Sequence, residues 1–216
     1  MNAVPLSIRM LNSRHSGAMG AISIPQTPTT PSPNKQSAPT LVRGFSEEGT
    51  FKDREIEAVL KILPNSHING LACIECDFML HSLTRDKSVS EPPIPPMGRY
   101  YPDRKHIYIY DCSSRWIILC TLLHEIGHHY YQWHLEEVLI NFWIEKGYPL
   151  SKPVSKYGAT NAEEGFAEAY MYYVLEPFIS RKESIQSTPF MLYYMARAVF
   201  KDRLLDFNLI KEALEQ

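Results

Sequence analysis

The first 46 residues contain no Asp or Glu. They hold Arg9, Arg14, Lys35 and Arg43, a local charge of +4 in a chain of 216 residues whose formal charge is −2. Residues 47–216 therefore carry −6, and such a body has no basic surplus to draw nucleic acid. Long apolar runs are also missing. No window approaches the ~18 uninterrupted apolar residues that a transmembrane helix needs, and no internal repeat is visible. Cysteine is scarce: Cys73, Cys76, Cys112 and Cys120 are the only four, with no framework of spacings. Cys73 and Cys76 form a C-x-x-C, but no second pair completes a zinc ribbon. Residues three apart on a strand face opposite sides, so a structural role is expected for these thiols.

Six prolines and the tract TPTTPSPNKQSAPT mark residues 1–46 as a leader that buries too little apolar surface to offset its ordering entropy. MNAVPLSIRML is too broken by Pro5, Ser7 and Arg9 for a secretory signal. An acid-free leader with Ser and Arg fits an organellar or other export signal, and equally a plain flexible tail. The protein is expected to be soluble, either cytoplasmic or carried elsewhere by this leader.

The remainder, 47–216, has the makings of one domain: the chain is 44% hydrophobic and 12% aromatic. Helical spacing of Ile56, Val59, Leu60 and Leu63 predicts a helix that Pro64 stops. GLACIECDFML reads as a strand, residues 81–99 as a proline-rich loop, and RKHIYIYD as a strand with two unlike faces. From about Ser114 the pattern is helical throughout. Helices are expected over SSRWIILCTLLHEIGHHYYQWH, HLEEVLINFWIEKG and NAEEGFAEAYMYYVLE, with two more near 188–200 and 203–215. A small mixed sheet followed by helices is an α+β domain.

HEIGH, residues 124–128, carries the chemistry. On a helix His124 and His128 stand one turn apart on one face and can offer nitrogens to one metal ion, while Glu125 beside them can act as general base on a bound water. The helix is otherwise apolar, and buried His and Glu need partners. His129, one residue on, points elsewhere and is expected to be structural. A third ligand is required. Glu164 and Glu168, also four apart on an apolar helix, are candidates, because two like charges there call for a cation.

HEIGH followed by YGATNAEEGFAEAY at 157–170 resembles the glutamate-type zinc peptidases (gluzincins) of the lethal-factor and Pro-Pro endopeptidase group. In that group a tyrosine stands seven residues before the zinc-ligating glutamate and a second acid four after it. The resemblance implies a zincin-like fold with an edge strand beside the HExxH helix and one Zn2+ per chain. It implies Glu164 as third ligand and Glu168 as acceptor from a ligand histidine. Tyr157 becomes the donor to the oxyanion, Glu125 the general base, and the substrate a protein or peptide. An extended substrate is expected against residues 106–110, with His106, Tyr108 and Tyr110 beside it. PPIPP at 92–96 is a lid or a stiff loop. The alternatives are a catalytically silent binding module of the same fold, or a zinc hydrolase acting on another carbonyl.

Overall fold

The computed structural model describes residues 39–45, 50–77, 97–151, 155–179, 189–208 and 211–212. Most of the leader and the PPIPP tract lie outside these residues. The described chain is α+β, with one four-stranded mixed sheet and a mainly helical remainder. It falls into two compact units. One comprises residues 39–134 together with those from 205 onward; the other is 135–204.

In the first unit β1 (Leu41–Arg43) leads into α1 (Asp53–Ile62), the short α2 (Asn65–Ile68) and β2 (Cys73–Cys76). β3 (Gly98–Tyr101) and β4 (His106–Ile109) form a hairpin, and α3 (Arg115–Trp133) follows. Strand order is β1-β2-β4-β3, parallel except for the antiparallel β3–β4 pair. α1 forms as its spacing predicts, burying Ile56, Val59, Leu60 and Ile62, and the chain leaves it at Leu63 in extended conformation ahead of Pro64.

Two expectations are corrected here. β1 lies within the stretch read as leader: its Val42 and the following Phe45 are buried, because pairing with β2 gives a short segment a sheet to join. β3 begins at the end of the stretch expected as loop, 81–99, of which only residues 97–99 are described, and runs on through Tyr100 and Tyr101. YYPDRKHIYIY carries the hairpin signal, two aromatic-rich runs around Pro102–Lys105, and Lys105 turns the chain with φ 52°.

Residues paired across strands share a face. Ile74, Ile107, Ile109 and Tyr100 share the face that meets α3, while Cys73, Glu75, His106, Tyr108 and Tyr101 occupy the other. The C-x-x-C is thereby split as strand alternation requires. Cys76 looks inward, its sulfur 2.6 Å from that of Cys112, and Cys73 looks outward.

In the second unit α4 (Glu137–Phe142) runs on through a π turn, Trp143–Gly147, into α5 (Tyr148–Leu150). α6 (Ala162–Leu175) and α7 (Pro189–Tyr194), with its π continuation Met195–Val199, complete it. Trp143, Phe166, Tyr170, Tyr194 and Phe200 are fully buried and form its core. The helix expected over 203–215 is not continuous: Lys201 and Asp202 both take positive φ, and 203–206 are irregular before helical residues at 207–208 and 211–212.

Candidate metal centre

α3 starts at Ser114, whose hydroxyl accepts from Ile117 N, and its apolar residues Ile118, Leu119, Leu122, Leu123 and Ile126 are all fully buried. That burial draws polar residues of the same helix inside. His124 and Glu125 are 9% and 7% exposed. The Nε2 atoms of His124 and His128 converge to 3.1 Å, with the rings nearly perpendicular. Two neutral imidazoles satisfy each other at that distance only with opposite tautomers, one donating and one accepting. A cation would take both lone pairs instead. Zinc–nitrogen bonds of ~2.0–2.1 Å at tetrahedral angles place two ligand nitrogens about 3.4 Å apart, so the pair fits. Among the described residues, His, Glu and Cys side chains form groups that could hold a metal ion, and this histidine pair belongs to one.

Glu125 is held by the sheet. Tyr100 N donates to its Oε2 at 2.8 Å. In the β3–β4 hairpin Arg99 and Tyr101 are the residues whose backbone groups face β4, so the Tyr100 N–H points to the outer edge of β3. The carboxylate therefore sits at the edge of β3 that pairs with no other strand among the described residues. Gly98 permits the approach: a Cβ there would collide with Thr121 of α3 and stand 2.7 Å from Tyr108 O.

His129 is structural. Fully buried, it donates from Nε2 to Asn69 O at 3.1 Å, which leaves Nδ1 to accept from the Tyr100 hydroxyl at 2.8 Å. Burial holds it neutral and pushes its pKa down to about 4, against the opposing pull of the Asn69 carbonyl.

The predicted residues of the second unit are set by the start of α6. Asn161 caps it, its side chain accepting from Glu164 N at 2.9 Å, and Glu163 and Glu164 lie in the first turn, where the helix dipole favours acids. Trp143 Nε1 donates to Ala162 O at 2.7 Å and ties this end to the core. Residues 155–160 fold back onto the helix because two glycines allow it. A Cβ at Gly165 would be 3.0 Å from Gly158 O, and one at Gly158 would be 3.0 Å from Glu168 Cγ. The seven-residue spacing thus becomes a contact: Tyr157 OH donates to Glu164 Oε1 at 3.1 Å. Tyr157 is 56% exposed, and Glu168 packs beneath Gly158 one turn further on.

The predicted substrate residues are not where an edge would put them. β4 is paired on both sides, with β2 and β3, so its backbone has no free edge for a peptide. His106 and Tyr108 also face away from α3. The strand alternation of 106–110 was legible, but an edge is a property of neighbours. Among the described residues β3 pairs with β4 alone. The group that sequence reading missed is Tyr100, whose backbone N–H and hydroxyl serve Glu125 and His129; the hairpin signal was the clue.

Compared with family models and with curated proteins, the chain finds no match in either.

Proposed function

We propose that this chain is a zinc-dependent endopeptidase of zincin-like fold, in the glutamate-type group. The carrying observation is the convergence of His124 and His128 at 3.1 Å beside a buried Glu125 held by an edge-strand N–H. His124, His128 and Glu164 hold the ion, and a bound zinc supplies a water of pKa about 7 and polarises the scissile carbonyl. Glu125 takes the proton of the attacking water and delivers it to the leaving amine. Its burial on an apolar helix excludes competing solvent, and its bond to Tyr100 N keeps one oxygen oriented.

Tyr157, exposed and already at a Glu164 oxygen, donates to the developing oxyanion. Glu168 fixes a ligand histidine by accepting from its other nitrogen. The peptide adds to the outer edge of β3, so that backbone bonds hold it and side-chain pockets choose its sequence.

The test pairs zinc content with cleavage. Wild type should carry about one zinc per chain more than Glu164→Ala, and Glu125→Gln as much as wild type while losing all cleavage of a peptide library. Zinc-loaded wild type that cleaves small esters but no peptide would shift the substrate to another carbonyl. Wild type that takes up no zinc after growth in zinc would overturn the enzyme reading.

A further inference from the structure

On the face of the sheet away from α3, a second set of donors converges. Cys73 and Glu75 are two apart on β2, and His106 lies directly opposite Cys73 on β4. One ligand atom from each lies within 4.8 Å of the other two. His106 Nε2 is buried with no hydrogen bond, and Glu75 Oε2 stands 3.3 Å from it. A buried ring nitrogen with no hydrogen bond calls for an explanation, and an ion is one. We propose that Cys73, Glu75 and His106 form a binding site for a divalent transition ion, zinc foremost, separate from the HEIGH site.

The donor chemistry favours this over the other use of a Cys, His and acid. A nucleophilic thiol requires the acid on one ring nitrogen and the thiol on the other. Here the acid stands at Nε2, and one donor atom from each of the three residues lies within 4.8 Å of the others. Thiolate, imidazole and carboxylate are the zinc donors, and bonds of ~2.0–2.3 Å put ligand atoms about 3.3–3.8 Å apart, within roughly 1 Å of the observed spread.

Supporting contacts are present as well. The Tyr108 ring stacks on His106 at 4.3 Å and fixes its plane, and Arg43 Nη2 holds Glu75 Oε2 at 2.8 Å, orienting the carboxylate. Arg43 opposes a cation by its charge, but thiolate and carboxylate together outweigh it. The side chains of His106 and Glu75 are 13% and 25% exposed, so an ion can enter past Glu75.

Cobalt(II) distinguishes this site from the other, because only a thiolate ligand produces a sulfur-to-cobalt charge-transfer band in the near ultraviolet. Metal-stripped, reduced full-length protein is titrated with cobalt(II), then with zinc. The expected result is a band that saturates, disappears on zinc addition, and persists in the His124→Ala/His128→Ala variant. Cys73→Ser should abolish it, while Cys120→Ser should not. Glu75→Gln and His106→Gln, which preserve shape, should each weaken binding about tenfold or more. A band lost in the double-histidine variant would place the thiolate signal elsewhere and overturn the proposal. No band in wild type, or an undiminished band in Cys73→Ser, would overturn the proposal.

Discussion

His129 and Glu125 differ in consequence although both lie within HEIGHH, and Tyr100 connects them. Its backbone N–H orients the proposed base and its hydroxyl satisfies the buried imidazole. Tyr100→Phe removes only the hydroxyl and leaves a buried Nδ1 without its donor, which costs about 1–3 kcal/mol. Urea unfolding should show that loss, with zinc content unchanged. Tyr157→Phe belongs to another class of effect. The side chain is exposed, so stability should barely move, while kcat on a cleaved peptide should fall about 10²–10³-fold. Equal kcat for the two forms would remove Tyr157 from the chemistry.

Elements are placed by a few contacts whose loss can be measured. The start of α3 is tied to α1 by Arg115 and Glu55, whose side chains are 18% and 13% exposed and 2.6 Å apart. Burial alone would raise the Glu55 pKa, but the Arg115 hydrogen bond and charge, with the Lys52 N–H, hold it below the usual carboxylate range. A carboxylate depressed in the folded state stabilises above its unfolded pKa of about 4.3 and loses that contribution as pH falls through the lowered value. Glu55→Gln should therefore cost about 1–3 kcal/mol at neutral pH. The gap from wild type should close as unfolding is measured below about pH 4; a gap independent of pH would refute the assignment.

Gly98 is the corresponding point on β3. Gly98→Ala drives a methyl into Thr121 and toward Tyr108 O, so about 1–3 kcal/mol of destabilisation is expected, with a weakened Tyr100–Glu125 contact lowering activity further.

At the scale of the whole molecule each unit has its own core. Ile74, Ile107 and Ile109 anchor the first, and Trp143, Tyr170 and Tyr194 the second. No helix of the described residues is long and apolar enough to cross a membrane. Ligand binding to the folded state alone adds RT ln(1 + [L]/Kd), about 2.7 kcal/mol at a hundredfold excess over Kd. For a chain of this size that corresponds to a rise of roughly 5–10 °C in Tm. In a Cys73→Ser background, which removes the other proposed site, zinc should produce it, a chelator should reverse it, and a further His124→Ala should show neither at the same zinc concentration.

What the sequence determined by itself is what local periodicity and spacing encode. The amphipathic α1, the two-faced β4, the long α3 with its histidines one turn apart and the tyrosine seven residues before Glu164 all follow from residues within a turn or two of one another. A pattern repeating every 3.6 or 2 residues survives without knowledge of the rest of the chain. Only the tertiary structure decided which strand is the edge, that Val42 belongs to a sheet, and that Cys73 meets His106 while Cys76 meets Cys112. Those facts rest on pairings between segments about 30 residues apart. Strand register, not local preference, selects them, because shifting one strand by a single residue would turn every one of these side chains to the opposite face.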